Sequence, residues 1–95
     1  MIRSFADKRT AAIWVNHVPK GFPSDLAQVA LRKLRMLDAV VSVDDLRQPP
    51  GNRLEALRGD RRGQYSIRVN DKWRLCFVWH DDGAHDVEII DYHRG

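Results

Sequence analysis

Cysteine is almost missing from this chain. Cys76 stands alone among 95 residues, so no intrachain disulfide can form, and a reducing compartment, the cytoplasm, is expected. A single thiol inside a strand pattern reads as small buried filler rather than as a nucleophile. Long apolar runs are missing too. None approaches the roughly 18 residues of a membrane span, and the start, MIRSF, has no apolar signal region, so neither secretion nor a membrane partner is expected. No His, Cys, Asp and Glu fall at metal-ligand spacing. Asp91-Tyr92-His93 comes nearest, but neighbouring strand residues point to opposite faces. No metal and no cofactor are expected, and there are no repeats or low-complexity segments.

What is present suits one compact domain over residues 1–95, with 43% hydrophobic and 31% charged residues. The net charge of +3 is unevenly spread. Residues 1–46 hold seven Lys/Arg against five Asp/Glu, residues 47–79 eight against three, and residues 80–95 one against five. In the middle block Arg53, Arg58, Arg61, Arg62 and Arg68 follow closely on one another. Arginine suits bidentate phosphate recognition, so these five are candidate RNA- or phosphate-binding residues. A basic stretch is more often merely a solvated face; here the strand parity described next decides against that.

Gln64–Trp79, QYSIRVNDKWRLCFVW, alternates apolar and polar residues with period two and predicts a β-hairpin. A three-residue Asn70-Asp71-Lys72 loop sets Val69 opposite Trp73, Ile67 opposite Leu75 and Tyr65 opposite Phe77, which gathers one wholly apolar face. A two-residue turn would mix the faces and expose the core. The same register sets Arg68 against Arg74, a repulsive cross-strand pair unless an anion lies between them. Upstream, Arg53–Leu57 predicts a strand with Arg53 opposite Arg68, Glu55 opposite Ser66 and Ala56 opposite Tyr65. Downstream, an Asp81-Asp82-Gly83 turn predicts Trp79 opposite His85, Phe77 opposite Val87 and Leu75 opposite Ile89. From Pro49-Pro50-Gly51 onward, everything reads as sheet and turns. Before it, Asp7 predicts a cap for a helix running to about Asn16. A second helix starts at Ser24 or Asp25, with Asp25 and Gln28 as a capping box, and ends near Asp38. Its Leu26, Ala30, Leu34 and Leu37 share a face. Val40–Gln48 reads as a loop with a helical turn near Asp44–Arg47, and Ile2–Phe5 as an edge strand. The expected fold is α+β, an N-terminal helix hairpin packed on one face of a twisted, mainly antiparallel sheet.

These registers converge on Arg53, Glu55, Ser66, Arg68, Arg74 and Tyr92 on the sheet face away from the helices. Such a set suits metal-independent phosphodiester cleavage of RNA, whose 2′-OH is a built-in nucleophile. The protein then supplies a cationic clamp, Arg68 and Arg74, and groups to move two protons: Tyr92, Glu55 and, if the terminus frays or bends, His93.

The run PPGNRLEALRGDRRGQYSIRVNDKWRLCFVW and the ending VEIIDYH resemble the RelE/ParE superfamily of bacterial toxins, in its HigB-type (plasmid maintenance killer) branch. The likeness covers nearly the whole chain, and LxxLxGDRxGxYSIRxNxxWRxxF is its specific part. It implies a RelE/ParE-like fold and a ribosome-dependent mRNA endonuclease that works in the A site of the 70S ribosome. It implies a HigA-type helix-turn-helix antitoxin, and operator DNA binding only through the antitoxin complex. By position, the family's basic phosphate-binding residues fall on Arg74, Arg58 and Arg68, and its C-terminal catalytic group on Asp91, Tyr92 and His93. Some members carry histidine where this chain has Glu55. Two rivals stay open: a ParE-like toxin that acts on DNA gyrase through protein contacts, and an RNA-binding module without catalysis.

Overall fold

The computed structural model describes residues 1–91. Asp7 caps helix α1 (Lys8–Trp14), its carboxylate accepting the Thr10 N–H at 2.9 Å, as the sequence predicts. Helix α2 (Ser24–Ala39) begins two residues too early for the expected capping box, with Pro23 at the N-cap. Asp25 falls inside the first turn, where it meets the positive end of the helix dipole, and no side chain caps the helix. A capping box forms instead at Ser42 and Asp45, at the head of a 3₁₀ turn spanning Val43–Arg47. Leu26, Ala30, Leu34 and Leu37 are all buried on the face of α2 turned to the sheet.

The sheet has four strands in chain order, all antiparallel: β1 (Glu55–Ala56), β2 (Gln64–Arg68), β3 (Trp73–His80) and β4 (Gly83–Asp91). The central hairpin has the expected register, with Tyr65 on Phe77, Ile67 on Leu75 and Arg68 on Arg74. Val69, Ile67, Leu75, Phe77, Val87 and Ile89 form the sheet's half of the core, and Tyr65, Trp73 and Trp79 pack at its margin. The expected edge strand is present as two parallel bridges, Ile2 to Ala84 and Phe5 to Val87.

Two expectations for the sheet fail. The first strand is only two residues long. Pro50–Asn52 is a 3₁₀ turn, and Arg53 follows it in the left-handed conformation (φ 46°, ψ 55°), so Arg53 never pairs with Arg68 as a strand residue. The β1–β2 connection is a turn, as expected, and takes 3₁₀ form over Gly59–Arg61. The far end of the β3–β4 hairpin slips by one residue. Leu75 meets Ile89 as expected, but Trp79 meets Ala84 rather than His85. Asp86, at φ 52°, is the extra residue of a β-bulge. The bulge delivers Ala84 to the core, fully buried, and leaves the Arg74 end of the sheet in register.

Candidate active site

Arg74 is the hub of the sheet face opposite the helices. Its Nε donates to Ser66 Oγ at 2.8 Å, and one terminal nitrogen donates to the Arg53 carbonyl at 2.6 Å. The Glu55 carboxylate lies 3.6 Å from the same nitrogen. Only 11% of the Arg74 side chain is exposed. Such a guanidinium is pinned in one orientation, which is what an electrostatic clamp needs. Ser66, Arg68, Arg74 and Glu55 share one face, as their alternation predicts. Arg53 reaches the cluster by another route than the one expected. Its left-handed backbone turns the carbonyl onto Arg74, and its side chain lines two adjoining grooves. One is lined by Arg53, Arg68, Asn70, Asp71 and Arg74, the other by Arg53, Leu54, Glu55 and Arg74.

The facing arginines are each offset by an acid. Glu55 serves Arg74, and Asp71, at the hairpin tip, serves Arg68. Asp71 is 94% exposed, so a phosphate can replace it at little cost. Arg61 is engaged elsewhere: it bridges Gln64 Oε1 at 3.0 Å and Glu88 Oε1 at 2.9 Å. Arg58 and Arg62 are exposed around the Gly59–Arg61 turn and line neither groove. Asp91 pairs with Trp73 and shares the helix-side face, so it points away from the face that carries Arg74. Tyr92 and His93 lie outside the described residues.

The face is less open than a polar strand pattern suggests. Ser66 and Cys76 at its centre are fully buried. Burial pushes the Cys76 thiol up to about 11, the charges of Arg61, Glu88, Arg74 and Glu55 adding smaller opposed effects. A neutral, buried thiol is no nucleophile.

Two residues escaped the sequence reading. Asn52 is fully buried in the 3₁₀ turn before Arg53. Its amide donates to the Leu46 and Gln48 carbonyls at 3.1 and 3.3 Å and accepts from Lys33 Nζ at 2.6 Å. Burial, with help from Arg32 and Arg68, holds the Lys33 ammonium below its usual range. Lys33 thus ties α2 to the turn that aims Arg53. The available signal was its spacing: Lys33 stands four residues before core Leu37, on the flank of the apolar face.

A helix pair on one face of a short antiparallel sheet, with an arginine cluster on the other, defines a class of small α+β proteins with a basic sheet face. Within it, the chain belongs to the HigB-like family, the RelE-like toxins of type II toxin-antitoxin systems, whose family model matches residues 3–93. It is 51% identical to Toxin HigB-1 of Vibrio cholerae over 72 residues, 76% of this chain and 75% of that one. It is 29% identical to Endoribonuclease HigB of Proteus vulgaris over 93 residues, 98% of this chain and all of that one. An uncharacterized protein of Haemophilus influenzae is 40% identical over 67 residues, 70% of this chain and 66% of that one. As a toxin of such a system, it has an antitoxin as its partner.

Proposed function

We propose that this toxin is an endoribonuclease that cuts messenger RNA on the ribosome without a metal. The observation that carries this reading is the juxtaposition of Arg53, Arg68 and Arg74 around one groove, with Glu55 beside Arg74. The name of the Proteus vulgaris relative supports it. The 2′-OH attacks the adjacent phosphorus, the P–O5′ bond breaks, and a 2′,3′-cyclic phosphate and a 5′-OH end result. The nucleophile's proton leaves to a base, and the departing 5′-oxygen takes one from an acid. Arg74, held rigidly, and Arg68, once Asp71 has yielded to phosphate, stabilise the doubly charged phosphorane. Glu55, Tyr92 and His93 are the proposed proton-transfer groups; Asp91, on the helix-side face, falls outside that set. Arg58, Arg61 and Arg62 are proposed to meet flanking phosphates, with Arg61 first giving up Glu88. The proposed antitoxin is a HigA-type helix-turn-helix protein that carries the pair to operator DNA, and the proposed site of action is the cytoplasm.

The test is to incubate the purified chain with ribosomes and a translated message and to map 5′ ends. New ends within the reading frame are expected. Arg74→Lys keeps the charge but loses the fork that spans Ser66 and Arg53, and cleavage should fall about 100-fold. Intact messages alongside damaged DNA in expressing cells would favour the gyrase-directed alternative.

A further inference from the structure

The outer edge of β4 is paired by the N-terminal segment only as far as Val87. Val87 N–H donates to the Ser4 carbonyl at 3.0 Å, and Ala6 N–H donates to the Val87 carbonyl at 2.9 Å. The next outward-facing groups on that edge belong to Ile89. Side chains of α1 take them both. Ile89 N–H donates to Thr10 Oγ1 at 3.0 Å, and Arg9 donates from a terminal nitrogen to the Ile89 carbonyl, also at 3.0 Å. Thr10 is fully buried, and its own N–H is fixed by the Asp7 cap. The Arg9 guanidinium is held in turn by two aromatic rings. Its central carbon lies 5.4 Å from the centre of Phe22 and 5.2 Å from that of Trp73. Trp73 is the cross-strand partner of Asp91, and Arg74 that of Ile90. Two adjacent helix residues therefore continue the ladder by one step and hold β4 where it runs past Arg74 toward its last described residue.

We infer that Arg9 and Thr10 form a clamp on Ile89 that holds β4 in register with β3 beside Arg74, making both positioning residues for cleavage. The inference rests on the ribonuclease reading. Arg74 stands opposite Ile90, the residue after the clamped Ile89, so the clamp fixes the strand that flanks the guanidinium proposed to stabilise the phosphorane. Misplacement by about an ångström costs on the order of 100-fold. Neither Arg9 nor Thr10 lines the arginine grooves, so the clamp acts through the backbone and not on RNA.

Thr10→Val keeps the volume and branching of the side chain and removes the acceptor; Thr10→Ser keeps the acceptor. Three quantities are read on the full chain: amide exchange at Ile89, ribosome binding by co-sedimentation, and message cleavage. For Thr10→Val we expect Ile89 to exchange at least about tenfold faster, with β2 and β3 unchanged. We expect cleavage to fall about 10- to 100-fold with ribosome binding retained. Thr10→Ser should restore cleavage. Full-rate cleavage by Thr10→Val, while the wild type cleaves, overturns the inference. So does a Thr10→Ser variant as inactive as Thr10→Val, which would show that the hydroxyl acceptor does not restore the function. Parallel loss of binding, cleavage and protection across all strands would reduce Thr10 to a stability residue and overturn it as well. A wild-type chain that leaves messages intact overturns the ribonuclease reading and the clamp's catalytic role with it.

Discussion

At the residue scale, Arg74 joins two roles that a strand pattern cannot separate. Parity shows that it faces Arg68, but not that Ser66 and the Arg53 carbonyl fix its guanidinium. A Glu at this position would bring a second carboxylate beside Glu55 and strand Ser66 and Arg53, so charge reversal should cost stability as well as activity. That makes Arg74→Lys the cleaner probe. Cys76 offers a test of burial on the same face. In the native chain burial pushes the thiol from its ordinary 9.0 to about 11. Between those values the unfolded chain has released a proton that the folded chain still holds. Unfolding then gains from each rise in pH, and stability falls through this window. The urea midpoint of the wild type should therefore drop faster than that of Cys76→Ala between about pH 9 and about pH 11. Equal slopes would mean that the thiol ionises in place. The reading of Cys76 as buried filler was available from its position in an apolar run. Its neighbours Arg61 and Glu88 were not, because they come from a turn and from another strand.

At the element scale, the registers near the site followed from one demand, that the apolar residues of neighbouring strands share a face. The demand was met from Gln64 to Arg68, from Trp73 to Cys76 and from Glu88 to Ile90. It failed at the far end of β4 because His85, Val87 and Ile89 alternate without a break, and nothing local marks Asp86 as left-handed. Only the filling of the core by Ala84, and the N-terminal segment lying alongside, decide for the bulge. Gly83 carries the consequence. At φ +130° it lies where an added Cβ would stand 2.0 Å from the Met1 carbonyl oxygen. Gly83→Ala should therefore break the bond between Ala84 N–H and Met1 and expel the first residues from the edge of β4. The expected loss is about 1–3 kcal/mol. Thermal melting measures the loss, and faster exchange at Ala84 and Val87 than at Ile67 locates it. Unchanged exchange at Ala84 would contradict this account.

At the scale of the whole molecule, charge is segregated along the chain, and the fold turns that segregation into a face. The basic block from Arg47 to Trp79 contributes Arg53, Arg68 and Arg74 to adjoining grooves. Binding of a ribosome-held message through such a cluster should be strongly salt-dependent. Raising salt from about 0.05 to about 0.2 M should weaken it on the order of 10- to 100-fold. Arg53→Gly keeps the left-handed backbone and the carbonyl that Arg74 uses but removes one cation, and should lower the logarithmic salt slope by about one. A slope unchanged by this substitution would remove the Arg53 side chain from the phosphate-binding set. None of the helices among the described residues is long and apolar enough to cross a membrane.

By itself the sequence determines what depends on order and alternation. It sets the helix pair, the hairpin, the pairing of Arg68 with Arg74, and through its motifs the toxin family. These are legible because side-chain parity is a local property, and a buried face penalises every alternative register at once. The tertiary structure alone decides which of the arginines converge. Arg53 joins the site through a left-handed turn braced by Asn52 and Lys33, residues from two distant segments. Arg61 turns to Glu88, and Thr10 and Arg9 reach across nearly the whole chain to Ile89. Such contacts follow from how elements pack and where buried polar groups find partners, and no local pattern records that.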